Sequence, residues 1–132
     1  MTTGGAIDIG SRADIDALMR AFYGKVMNDP VIGYLFTEVA RLDLDHHLPI
    51  IGDFWETVLF ASGDYARHGR NPLQVHLALH EKEALRPEHF VRWLDLFDTS
   101  VDELFTGPRA TFTKQRARGI AFRFMAAMPA AT

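Results

Sequence analysis

At 132 residues and a net charge of −3, the chain is about one domain long, and no shift in composition divides it. It contains no cysteine, which excludes disulfides, thiolate zinc sites and iron–sulfur clusters. No apolar run approaches the ~18 residues that a membrane span needs, and the scattered basic residues lack the stripe expected of a nucleic-acid binder. The first ten residues have neither the basic start nor the apolar middle of a signal peptide. They are expected to be poorly ordered, ahead of a single soluble, cytoplasmic domain that spans residues 1–132.

Ser11 followed by Asp14 resembles a capping box with Asp in place of Glu. Ile15, Leu18, Met19, Phe22 and Val26 then recur at helical spacing. Asn28-Asp29-Pro30 ends that helix, because the residue before proline is pushed out of the α region. A turn or two is expected over Val31–Phe36. A second long helix reads over Asp45–Ala61, with His47, Leu48, Ile51, Trp55, Val58 and Leu59 on one side. Pro49 is tolerable there only if the helix begins just before it. Ser62–Pro72 has loop chemistry, and a short helix over Leu73–Leu79 carries His76. Pro87 suits the first turn of a third long helix, with Phe90, Trp93, Leu94, Phe97, Val101 and Leu104 inward. After Gly107-Pro108 a fourth long helix runs to about Met128. With no sustained period-two alternation, the fold class is all-α.

No Gly-rich phosphate loop and no His-Glu-x-x-His is present. The remaining chemistry belongs to six histidines (His46, His47, His68, His76, His80 and His89) and to the aromatic faces. His76 and His80 stand at i and i+4, a spacing that zinc can use, but no third ligand is in register. Taken alone, His76 reads first as a half-buried histidine bonded to a backbone carbonyl. Tyr23 and Trp93 each bring one polar hydrogen into an apolar face, and such groups need partners when buried. Lys114, Arg116 and Arg118 read as a solvated helix face.

Four pieces in order carry a resemblance. Phe22-Tyr23-x-x-Val26-x-x-Asp29-Pro30-x-Ile32-Gly33-x-x-Phe36 comes first, then His47 ahead of Phe54-Trp55. Pro72-Leu-x-x-His76 follows, and His89-Phe90-x-x-Trp93-Leu94-x-Leu-Phe97 closes the set. Together they resemble the truncated haemoglobins from about Leu18 to the C-terminus, and Phe54-Trp55 with Trp93-Leu94 is similar to group III of that family. The resemblance implies a globin-like two-over-two helical sandwich around one haem b. Without cysteine, that haem is held non-covalently. His76 then corresponds to the iron ligand, and Tyr23, His47 and Trp93 to the opposite side of the iron. Phe22, Phe36, Ile51, Phe54, Trp55 and Phe90 become pocket walls, with Trp93 among them. The charged Ala78–Arg86 stretch departs from the short, proline-rich link that the family often has there.

Neutral imidazole on one side of ferrous haem, with an open position on the other, suits binding of dioxygen, nitric oxide or another diatomic ligand. A hydrogen bond to a partly charged group is worth roughly 1.5–3 kcal/mol. Two such donors would slow oxygen release by about 10²–10⁴-fold. Tyr23 and Trp93 are the better candidates, and His47 has three roles open: ligand contact, gate or helix cap. Tight retention favours redox chemistry on the ligand, such as oxidation of nitric oxide to nitrate or reactions of peroxide and reactive nitrogen species, with a separate reductase. A non-catalytic oxygen binder or gas sensor is the second reading, and a cofactor-free helical interaction module the third.

Overall fold

The computed structural model describes residues 7–61 and 71–129. It holds five α-helices and one π-helical turn, with no strand among the described residues. In chain order these are α1 (Arg12–Met27), the π-helical turn (Leu35–Val39), α2 (Leu44–Phe60), α3 (Pro72–Lys82), α4 (Pro87–Leu104) and α5 (Pro108–Ala127). Helix α1 packs on α2 and α4 on α5, and the two layers meet through α1 and α4. No helix of the described residues is long and apolar enough to cross a membrane.

Local chemistry sets the helix ends. Ser11 Oγ accepts from the Asp14 N–H at 3.3 Å, as a capping box requires. The return arm lands one residue early, on the Gly10 N–H at 2.8 Å. After α1, Asp29 Oδ2 accepts from the Val31 and Ile32 N–H groups at 3.0 and 3.1 Å, turning the chain toward the π-helical segment. Its other oxygen receives Nε and Nη2 of Arg92 at 2.9 and 2.6 Å, which ties this turn to α4. The Arg92 guanidinium holds the Asp29 carboxyl below the usual carboxylate range, against the opposing effect of burial.

Helix α2 begins at Leu44 under an Asp43 cap, so Pro49 lies beyond the first turn and not at the helix start that the sequence suggested. The proline forfeits the bond that the Asp45 carbonyl would accept. Arg12 braces the same stretch, donating to Asp53 and Glu56 at 2.6 and 2.7 Å and to the Pro49 carbonyl at 3.1 Å. Burial works against the Arg12 charge, but its carboxylate partners outweigh it and push the guanidinium pKa up. Gly52 lies beneath that guanidinium, where a Cβ would come within 2.6 Å of Nη2.

Helix α3 is longer than expected, running to Lys82, so most of the charged stretch after His76 is helix. Residues 62–70, most of the stretch read as loop from the sequence, and with them His68, lie outside the described residues. Of the ten leading residues expected to be poorly ordered, residues 1–6 lie outside the described residues, and residues 8–9 are held in place. Ile9 is fully buried, and Asp8 accepts from the Arg109 and Ala110 N–H groups at 2.9 and 2.8 Å, capping α5. Gly107 makes the approach possible with φ of 141°, a value that side chains rarely allow.

Candidate functional site

All five helices border one cavity of about 210 Å³. Of the residues singled out from the sequence, Tyr23, Phe36, His47, Ile51, Phe54, Trp55, His76, Phe90 and Trp93 line it. Phe22 does not. Adjacent helical positions differ by about 100°, so Tyr23 turns to the cavity while Phe22 turns into the core. There Phe22 meets Tyr23, Trp93 and Phe97 edge-on at 5.0, 5.2 and 5.1 Å between ring centres. Trp93 and Trp55 both stack on Phe97, at 5.3 and 5.4 Å. This five-ring cluster backs one wall, and such pairs add about 0.5–1.5 kcal/mol each beyond area burial.

Polar groups on that wall are few and fixed. Tyr23 Oη and His47 Nε2 are 3.0 Å apart. Their side chains come from α1 and α2, whose alignment the Arg12 brace maintains. The Trp93 indole N–H reaches no hydrogen-bond acceptor among the described residues, although the ring itself is held on two sides.

Helix α3 supplies another part of the lining. His76 Nδ1 is 2.7 Å from the Pro72 carbonyl oxygen. A carbonyl only accepts, so Nδ1 carries a proton, and in the neutral ring the lone pair is on Nε2. Phe124 of α5 supports the ring at 4.6 Å between centres. Asn71 starts α3 by accepting from the Leu73 and Gln74 N–H groups at 3.0 and 3.3 Å. No residue of α3 is buried, even though Pro72, Val75, His76 and Leu79 border the cavity. An apolar helix face with so little packing fits a large flat apolar group between α3 and the aromatic wall. Nε2 of His76 is the ring atom that could offer such a group a nitrogen ligand.

His80 does not join His76 as a metal ligand. Its Nδ1 accepts from the Leu85 N–H at 2.9 Å, and Nε2–H donates to the Pro129 carbonyl at 2.8 Å. No group of three potential metal ligands gathers among the described residues. His89 lines the cavity rim, and its Nδ1 accepts from the Arg86 N–H at 3.0 Å. Burial lowers its pKa and favours the neutral form that this contact requires. Leu35, Val75, Leu79 and Leu85 are lining residues that sequence patterning did not single out, and His89 was singled out only as a histidine, not as a pocket wall.

Comparison with known proteins agrees with this geometry. The chain is 32% identical over 117 residues to Group 3 truncated hemoglobin ctb of Campylobacter jejuni, covering 86% of this chain and 87% of that protein. This chain belongs to the group III truncated haemoglobins. The crystal structure of group III truncated hemoglobin from Campylobacter jejuni matches this globin with a TM-score of 0.81 and 29% identity, over 94% of this chain and 95% of the other. No protein-family model matches it. The α1–α2 and α4–α5 layers are the two-over-two sandwich of this truncated haemoglobin, and haem is the cofactor that membership of the family carries.

Proposed function

We propose that this globin holds haem b non-covalently through His76 Nε2 and acts on nitric oxide or reactive oxygen and nitrogen species, with dioxygen as a ligand. The supporting observation is that one mostly apolar cavity is lined both by an oriented imidazole, His76, and by the polar groups of Tyr23, His47 and Trp93. Haem supplies the iron that binds the gas and changes oxidation state.

The protein's part is orientation, exclusion of water and proton placement. The Pro72 carbonyl fixes the His76 ring and modestly raises its donor strength. A carboxylate partner would push harder, so the chain favours retention of a diatomic ligand over strong cleavage of a peroxide bond. The apolar walls keep water out, which strengthens every polar contact inside. Trp93 holds an N–H at the cavity in a ring that Phe22 and Phe97 immobilise. The single phenol proton of Tyr23 serves one acceptor at a time. When His47 donates from Nε2 to Tyr23 Oη, that proton can turn toward a ligand; when the phenol donates to His47, it cannot.

Spectra and rapid mixing test the proposal. His76→Gly is expected to lose stable haem, with retention restored by added imidazole. Wild-type spectra and retention in that variant would exclude His76 as ligand. Mixing the oxygenated protein with nitric oxide is expected to give ferric protein and nitrate, repeatedly when a reductant is supplied. Tyr23→Phe with Trp93→Phe is expected to speed dioxygen dissociation at least tenfold, because two donors are lost. A single stoichiometric event with nitric oxide would favour the simple binder or sensor.

A further inference from the structure

Charge is unevenly distributed in this molecule. Helix α5 carries five of the 14 Lys and Arg residues and none of the 17 Asp and Glu, leaving nine cations against 17 carboxylates elsewhere. Two of its cations are paired with α4, Lys114 to Asp102 at 2.6 Å and Arg118 to Asp98 at 3.2 Å. Arg116 and Arg123 have no acidic partner among the described residues. At about 100° per residue they share one outward strip with Phe112, and Phe122 lies about 100° round from Arg123 on the same exposed side; the two rings are 44% and 54% exposed. Gly119 lies on the same strip, with nothing within 4 Å of its added Cβ position. The opposite face, Ala110, Thr113, Ala117 and Ala121, is buried. Beside it, Phe124 contacts His76 at 4.6 Å between ring centres.

We propose that the outer face of α5, formed by Phe112, Arg116, Phe122 and Arg123, docks an acidic protein that is a one-electron carrier. Unpaired guanidinium groups beside exposed aromatic rings make an interface that pairs carboxylates and buries apolar surface. A second copy meeting this face with its own would set cation against cation, and the acidic remainder of the surface repels a long polyanion. The proposal rests on the haem reading above, in which repeated turnover needs ferric iron returned to ferrous. One electron leaves the reduced carrier and reduces the haem iron by one, with no bond made or broken. The docked carrier then lies on the same helix as the ring that supports His76.

Stopped-flow reduction of the ferric haem protein by reduced flavodoxin, an acidic flavin carrier, tests this. The wild-type bimolecular rate is expected to fall at least tenfold as salt rises from about 20 to 300 mM, as screening of a charged encounter requires. Arg116→Glu with Arg123→Glu is expected to slow it at least tenfold at low salt. Arg123→Glu alone should slow it more than Arg20→Glu, a change of equal charge on the exposed side of α1. Reduction by dithionite should be the same in all variants. Equal carrier rates in Arg123→Glu and Arg20→Glu, with haem spectra intact, would overturn the docking face alone. Absence of a ferric haem band would sink the haem reading and this inference together. Binding of phosphatidylglycerol vesicles, or a dimer, that the double variant abolishes while carrier rates stay unchanged would assign the face elsewhere and overturn the proposal.

Discussion

The two walls of the cavity are built in opposite ways. On the Tyr23 side, rings from α1, α2 and α4 lock into a cluster around Phe22 and Phe97, both of them fully buried or nearly so. On the His76 side, α3 buries no residue, and its definition comes from an Asn71 cap, a Pro72 carbonyl and the His80 contacts at its far end. A wall that presents donors to a small gas must be rigid before the gas arrives, since misplacement by fractions of an ångström weakens a hydrogen bond. A helix that supplies a ligand to a large apolar group can instead take its order from that group. If His76 holds haem as proposed, stability in this globin is divided between the folded chain and its cofactor.

The largest expected effect lies at the centre of the rigid wall. Phe97→Ala is expected to cost roughly 3–5 kcal/mol in urea unfolding of the haem-loaded protein. A loss below ~1 kcal/mol would mean that Trp55 and Trp93 do not depend on their shared ring. Next comes the tie behind that wall. Arg92→Met leaves the nearly buried Asp29 charge without its partner and is expected to lower stability at neutral pH, by less than Phe97→Ala, in the same urea unfolding. The Asp29 carboxyl is depressed when folded, so its contribution is complete above the unfolded value near ~4 and is lost as pH falls through the folded value. The gap between wild type and variant should accordingly close in acid. A gap that stays constant to the lowest measurable pH would assign the loss to packing.

Withdrawing haem sharpens the contrast more directly. Amide exchange in α3 is expected to accelerate about a hundredfold or more, while α1 and α4 change less than tenfold. Uniform acceleration would show that both walls rest equally on the cofactor. The smallest effect is at the start of α3, where Asn71→Ala removes one cap and is expected to cost about 1 kcal/mol. In the haem-loaded protein that loss should appear as faster haem dissociation, measured by transfer to an apoglobin acceptor.

The helices themselves were legible in the sequence because apolar spacing, Pro87, Pro108 and Ser11 are local signals. So was most of the rigid wall, since Tyr23, Trp55, Phe90 and Trp93 are bulky residues on strongly periodic faces. Phe22 shows the limit, because choosing between two adjacent aromatics requires knowing which direction is core. Contacts between distant residues were not legible. Asp29 and Arg92 are 63 positions apart, and each alone reads as an ordinary surface charge. Leu35, Leu85 and Phe124 join one wall only after the π-helical turn, the α3–α4 link and α5 are brought together. Pro49 was judged by helix rules that take no account of Arg12 reaching its carbonyl from another helix. The weak side of the cavity is also the weak side of the sequence pattern, because α3 has little core to encode.

Asp8 sits a hundred positions from the helix it caps, yet its carboxylate joins the head of the chain to α5. Any pull or bulky fusion ahead of Ile7 is thereby transmitted to the helix that carries both Phe124 and the cationic strip. A change made at the leading end, far from the iron in sequence, would be felt as a shift in how the imidazole is propped. Haem absorption could then report strain applied at a position that touches neither gas nor porphyrin.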